Sequence, residues 1–216
     1  MSLRAVIFDA DGVLVHANRF KGYLEQKLAR GTTGEFFGGP FQKCLIGEAD
    51  MADTLPPFLE HWGWEGGYDD FVSTWLDIEN AVDERVLETI QDLRRLGYVC
   101  ALATNQEQHR GHYMKTTMGF ESEFDRLFFS YKIGAAKPDE KFYRTIEEAL
   151  GLSGPEILFW DDTRSHIDAA KKRGWRAELY TDYEDFSRKM RALLGLEDVS
   201  TYFVAGQNGA AKPIAD

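Results

Sequence analysis

The sequence predicts an α/β protein: a central parallel sheet covered on both faces, with a small helical unit inserted after the first strand. Three observations point there. Short apolar runs recur at 6–8, 99–103, 127–130, 157–160 and 177–180. Helical patterns separate the later runs, as in βαβ units, whose sheets are buried on both faces. Between the first run and the second, a block of about 65 residues breaks the alternation and is too long for a loop.

Taken in order, Val6-Ile7-Phe8 reads as a buried strand that runs into Asp9-Ala10-Asp11-Gly12. Alternate residues of an extended chain face the same side, so Asp9 and Asp11 share one pocket at the strand's carboxyl end. Ionised carboxylates there require a cation or a proton. Gly12 lets the backbone turn. Asp-Gly is also a common turn dipeptide, so the motif alone leaves a simple acidic turn open.

Residues 16–79 form the inserted unit. Helical patterns are expected near 19–30, 53–62 and 68–76, with Gly38-Gly39-Pro40 as a joint. The unit is expected to sit over the carboxyl ends of the catalytic strands. Trp62, Trp64, Tyr68, Phe71 and Trp75 read as its core rather than as a sugar-stacking platform. His61 has no evident ligand partner.

Residues 1–15 and 80–200 make up the sheet domain. A helix is expected over 83–96, with Asp83 as its cap, Val86, Ile90 and Leu93 at helical spacing, and Gly97 as its stop. Phe142, Ile146 and Ala149 repeat that pattern before Gly151. Active sites in such sheets lie at strand carboxyl ends. The tail, residues 201–216, lacks periodicity and is assigned no function.

Composition narrows the class. The 216 residues suffice for one substantial core plus an insertion, and a hydrophobic fraction of 44% is ordinary for a globular protein. The net charge of −11 disfavours nucleic-acid backbones and anionic membranes. Cys44 and Cys100 do not suggest a disulfide framework. With no apolar run of membrane-spanning length and no room for a signal peptide, a soluble, cytoplasmic monomer or homodimer is expected.

Three later segments carry chemistry. The run 99–103 ends in Thr104-Asn105, which offers a hydroxyl and exposed amides suited to an anion, or simply a helix cap. Lys137-Pro138-Asp139 precedes the Phe142 helix and projects a lysine inward, unless that lysine is an ordinary surface residue. The run 157–160 ends in Asp161-Asp162, either a helix cap or a metal site. His109 and His112, on the helix after Thr104, are expected at the surface.

The four segments, in this order, resemble the motifs of the haloacid dehalogenase (HAD) superfamily, over roughly residues 4 to 195. The resemblance implies a Rossmann-like core with the first strand in the middle of the sheet, and a helical C1 cap formed by the insertion, as in subfamily I. The stretch Leu45-Ile46-Gly47-Glu48, leading to Phe58, is similar to caps of sugar-phosphate phosphatases and of the phosphatase domain of soluble epoxide hydrolase.

The resemblance further implies that Asp9 is the nucleophile, forming an aspartyl-phosphate. Asp11 is then the acid and base for the leaving group, kept protonated part of the time by its neighbouring carboxylate. Mg²⁺ is expected on the Asp9 carboxylate, the Asp11 carbonyl and Asp162, with Asp161 behind. Thr104, the Asn105 amide and Lys137 are expected to bind phosphate. Where relatives with a paired-acid fourth motif usually carry Asn, this chain has His166, for which a structural role is expected. His16, Arg19 and Lys43 are candidates for substrate specificity. The expected partner is a small phosphorylated metabolite, with a sugar phosphate among the candidates. A sugar-phosphate mutase and a non-catalytic scaffold are the alternatives. A dehalogenase needs neither Asp11 nor Asp162.

Overall fold

The structure, a computed structural model, describes residues 2–16, 18–28 and 33–195. The tail, 201–216, lies outside the described residues.

Five parallel strands form one sheet in the order β3-β2-β1-β4-β5. They are β1 (Ala5–Phe8), β2 (Val99–Thr104), β3 (Arg126–Phe129), β4 (Ile157–Asp161) and β5 (Arg176–Leu179). The first strand is therefore central, with Phe8 opposite Leu102 on one side and Trp160 on the other. The Asp9 amide donates to the Trp160 carbonyl at 2.9 Å, which carries the ladder one residue past β1. Asp9 and Asp161 consequently emerge side by side at the carboxyl edge.

The strand period of two sorts side chains onto the two faces. Val6, Phe8, Leu102, Leu158 and Trp160 pack on one face against Val86, Ile90 and Leu93 of α7 (Glu84–Arg95) and Phe186 and Met190 of α13 (Tyr183–Leu194). Ala5, Ile7, Ala101, Ala103 and Phe159 pack on the other against α11 (Glu140–Leu150) and α12 (Arg164–Lys172). The remaining core helices are α8 (Gln108–Thr116), α9 (Phe120–Glu123) and α10 (Ser130–Ile133). Asp83 caps α7 as expected, its side chain accepting from the Arg85 amide.

Among the described residues, six helices lie between β1 and α7: α1 (Arg19–Lys27), α2 (Gly34–Phe37), α3 (Pro40–Leu45), α4 (Met51–Thr54), α5 (Pro56–His61) and α6 (Gly67–Glu79). They enclose a hydrophobic cluster of their own, in which Phe20, Leu24, Phe36, Leu59, Trp62, Trp64, Phe71 and Trp75 are buried and Tyr68 is half-buried. Two chain crossings join this unit to the sheet, and they are bonded to each other. The His16 amide donates to the Ala81 carbonyl at 3.0 Å, and the Asp83 amide donates to the Leu14 carbonyl at 2.8 Å.

The helical boundaries depart from the sequence reading at glycine and proline. The pattern over 53–62 is two helices, because Pro56 has no amide hydrogen to continue a helix and instead starts α5. Gly38-Gly39-Pro40 is a joint, but Pro40 also opens α3, a helix the pattern did not show. Helix α1 ends at Lys27, where Leu28 is extended. Cys44 and Cys100 are buried free thiols. Among the described residues no helix is long and apolar enough to cross a membrane.

Because the inserted helices have a separate core, Phe71→Ala is expected to destabilise the protein by about 3 to 5 kcal/mol. Phe71 is fully buried. Urea unfolding followed by tryptophan fluorescence measures this, and a loss under about 1 kcal/mol contradicts a packed core there.

Candidate active site

Two strand ends and one lysine define the centre. The Lys137 ammonium lies 2.9 Å from Asp9 Oδ1 and 2.7 Å from Asp161 Oδ2, and its side chain has no exposed surface. Asp161 also accepts from the Thr163 amide at 2.8 Å, and His166 Nδ1 lies 3.0 Å from its Oδ1. Lys137 sits in the turn before α11, which Asp139 caps. The Asn105 side chain pins that turn, donating to the Lys137 carbonyl at 3.0 Å and accepting from the Lys137 amide at 2.8 Å. Asn105 thus also acts through its side chain, beyond the backbone amide expected from the sequence.

Electrostatics separates the two acids that touch Lys137. Burial pushes Asp9 up to about 7; Lys137 opposes this, while Asp161 and Asp11 add to it. Asp161 goes the other way, to about 2, because Lys137 and His166 outweigh its burial. Asp9 is thereby a carboxylate short of positive charge, the condition in which a cation is favoured.

Asp11 corrects one expectation. Burial alone raises its pKa, but Arg110 and Gln106 reverse that and hold it below the ordinary range, so it is the charged partner here and not a half-protonated one. The Arg110 guanidinium grips it as a fork, at 2.6 Å to each carboxylate oxygen, and Gln106 Nε2 donates to it at 2.7 Å. Arg110 also lies 3.4 Å from Glu79, at the end of α6, and Glu79 accepts from the Phe20 amide in α1 at 2.9 Å. Asp11 is thus tied, through Arg110 and Glu79, to both ends of the inserted unit.

Thr104 is buried at the end of β2, its hydroxyl accepting from Gln106 Nε2 at 3.1 Å. The Ser130 hydroxyl accepts from the Gln106 amide at 2.9 Å, which fixes the turn from β2 into α8. Asp162 is exposed and packs on the β1 loop: a Cβ placed at Gly12, whose φ is +79°, would lie 2.0 Å from Asp162 Oδ2. The left-handed backbone therefore favours glycine at position 12, and any side chain there would have to displace the Asp162 carboxylate. Beyond the contact of its ring with Asp161, His166 accepts at its backbone carbonyl from the Tyr143 hydroxyl at 2.9 Å, which anchors the main chain there.

Not every candidate reaches this centre. A cavity of about 460 Å³ opens from Asp11 and Arg110 into the inserted helices, and His16, Arg19 and Lys43 do not line it. His16 belongs to a separate recess with Asp83 and Arg85, while Arg19 and Lys43 are exposed on α1 and α3. His109, expected at the surface, is half-buried with Nε2 2.9 Å from Asp50 Oδ1 on the inserted unit; His112 is exposed.

Arg110, Gln106, Glu79 and Ser130 were not visible as site residues in the sequence. One signal existed. Helix α8 has few apolar residues, yet Arg110, Gly111 and Met114 are its buried face, so a charge at that spacing had to be paired.

Comparison with known proteins agrees with this geometry. A family model described as haloacid dehalogenase-like hydrolase matches residues 3–174. Bifunctional epoxide hydrolase 2 of Sus scrofa is 25% identical over 93% of this chain, but the alignment spans only 40% of that protein. The GMP/IMP nucleotidase YrfG of Escherichia coli is 27% identical, with 79% of each chain covered. In fold, the chain resembles a HAD family enzyme from Bacteroides thetaiotaomicron crystallised with magnesium and inorganic phosphate. The TM-score is 0.75 at 21% identity, covering 88% of this chain and 100% of that one.

Removing Arg110 leaves Asp11 and Glu79 without their shared cation, so Arg110→Met is expected to cost roughly 3 kcal/mol near neutral pH; the third of Asp11 left exposed keeps the loss from being larger. A depressed carboxylate pKa stabilises the fold above the unfolded value of 3.8 and ceases to as pH falls through the folded value. The deficit of the variant should therefore shrink in acid. Denaturant titrations at neutral and acid pH test this, and a deficit independent of pH contradicts it.

Proposed function

The chain belongs to the haloacid dehalogenase-like hydrolase family, and from that premise we propose that it is a Mg²⁺-dependent phosphomonoesterase that hydrolyses a small phosphorylated metabolite through an aspartyl-phosphate on Asp9. One observation carries the reading: Asp9, at the end of the central strand, touches the buried Lys137 ammonium while Asp11, two residues on, lines a ligand-sized cavity. The nucleotidase among its relatives supports a phosphomonoester as the substrate class.

The metal fits the donors present. Asp9, Asp161 and Asp162 offer hard oxygen ligands, the kind Mg²⁺ takes. Among the described residues, ligand atoms of Asp9, Asp161 and His166 lie within 4.8 Å of one another. Asp161 and His166, however, are committed to each other and, through Asp161, to Lys137. Of these carboxylates, Asp9 and Asp162 would hold the ion, together with the Asp11 carbonyl that the resemblance to the family implies, with Asp161 and His166 behind them. When bound, Mg²⁺ supplies positive charge against the phosphoryl oxygens and the acidic cluster.

The chain's own groups account for the steps. Lys137, the Thr104 hydroxyl and the Asn105 amide hold the phosphoryl oxygens, and Lys137 keeps Asp9 from being repelled by them. An Asp9 carboxylate oxygen attacks phosphorus in line; the new Asp9–phosphorus bond forms as the ester oxygen leaves with a proton from Asp11. Arg110 holds Asp11 ionised before substrate arrives, so the acid form arises when phosphate charge beside it raises its pKa. Asp11 then takes a proton from the water that attacks phosphorus and frees Asp9. The inserted helices serve as a cap that excludes bulk water.

Phosphate release from a panel of phosphomonoesters tests this. Turnover should vanish with a chelator and fall at least about 1,000-fold in Asp9→Asn. Isomerised substrate with phosphate retained identifies a mutase and contradicts the reading, as does full activity in Asp9→Asn. In the first step alone, followed as the burst of leaving-group release, Asp11→Asn should slow alkyl phosphates by about 100- to 10,000-fold and p-nitrophenyl phosphate far less, since a stable phenolate needs no proton. Equal losses on both contradict an acid role for Asp11.

A further inference from the structure

We infer that the cavity above Asp11 receives the alcohol portion of the ester and selects one that carries an aromatic ring, of nucleoside size, over a bare sugar. The substrate class is then nucleoside 5′-monophosphates rather than hexose phosphates. The inference rests on the phosphomonoesterase reading and deepens it.

Position comes first. The cavity of about 460 Å³ is lined at its floor by Asp11 and Arg110, so whatever leaves phosphorus with the proton of Asp11 must occupy it. The volume lies in the range of roughly 300–1,000 Å³ typical of organic ligand sites. A hexose alone underfills such a space, whereas a nucleoside suits it.

The walls decide the chemistry. Phe20, Leu24, Phe37 and Trp75, drawn from helices α1, α2 and α6, supply an apolar lining. Phe20 and Trp75 already stack on each other with centroids 6.0 Å apart, and the Arg110 guanidinium lies 5.8 Å from the Trp75 ring. A further ring extends such a stack favourably. A hexose instead brings hydroxyls on every side, and those facing Phe20, Leu24 and Phe37 would find no hydrogen-bond partner, which is penalised.

Among the described residues the polar lining is Asp11, Glu79 and Arg110 together with Asn18, Lys21 and Thr33. On the floor, Asp11, Arg110 and Glu79 satisfy one another. At the mouth, Asn18 precedes α1 in the left-handed conformation, φ 64°, and its side chain does not cap the helix. Its amide carries both a donor and an acceptor, which suits the edge of a heterocyclic base. A leaving group that offers both an apolar ring face and a polar edge matches a lining of both kinds.

The test separates binding from turnover. Full-length Asp9→Asn protein with Mg²⁺ is titrated calorimetrically with adenosine 5′-monophosphate and with glucose 6-phosphate. The nucleotide is expected to bind at least about tenfold more tightly. Trp75→Leu and, independently, Phe37→Leu should abolish the preference, while Trp75→Phe retains it. Phe37 is half-buried, so its variant guards against loss of fold, and circular dichroism confirms both. In the wild-type background the same variants should raise KM for the nucleotide by a larger factor than KM for acetyl phosphate, which has no ring. Equal or tighter binding of glucose 6-phosphate, or a preference that survives both leucine variants, overturns the inference. Preferential nucleotide binding with no phosphate release by the wild type supports the cavity assignment and overturns the phosphatase reading instead.

Discussion

Three charged groups with almost no access to water, Asp9, Lys137 and Asp161, share one contact at the carboxyl edge of the sheet, and much of the architecture exists to make that contact tolerable. Two buried carboxylates on adjacent strands repel each other unless a cation stands between them. Parallel pairing of β1 with β4 fixes their separation. Asn105, at the end of the neighbouring strand β2, pins the turn that delivers the lysine. Breaking any one of these leaves a buried charge without its partner.

The same contact divides labour between the acids. Asp161 is held fully ionised by Lys137 and His166 and so serves to orient, while Asp9 keeps a deficit of positive charge that a metal and a phosphoryl group can answer. Asp11 is controlled from elsewhere. Its partner Arg110 reaches Glu79, and Glu79 holds the Phe20 amide, so Asp11 is linked to the helices that form the walls of the cavity. Substrate that fills the cavity therefore meets the groups that control the acid.

Much of this was legible in the sequence because it depends on local pattern. Apolar runs ending in Asp9-Ala10-Asp11 and Asp161-Asp162 placed carboxylates at strand ends, and helical spacing located Val86, Ile90 and Leu93 on a buried face. What escaped depends on tertiary partners. Arg110 reads as an ordinary charge on a polar helix until Asp11, 99 residues away in sequence, is seen to face it. The joint at Gly38-Gly39-Pro40 hid a helix because proline can both end one element and begin the next. Proximity in sequence to the inserted unit made His16, Arg19 and Lys43 attractive, yet the apolar walls of the cavity are Phe20, Leu24, Phe37 and Trp75, of which pattern had named only Trp75 and assigned it to packing. Trp75 does both: it belongs to the core of the inserted helices and lines the cavity.

Covalent transfer to Asp9 is the claim on which the rest turns. Rapid acid quench of the wild-type protein with Mg²⁺ and a phosphomonoester labelled in its phosphoryl group, followed by peptide mapping, tests it most directly. The account predicts a transient label on the peptide containing Asp9, released by hydroxylamine as an acyl phosphate is, and absent in Asp9→Asn. Turnover with no label on the protein, or label that persists in Asp9→Asn, contradicts it.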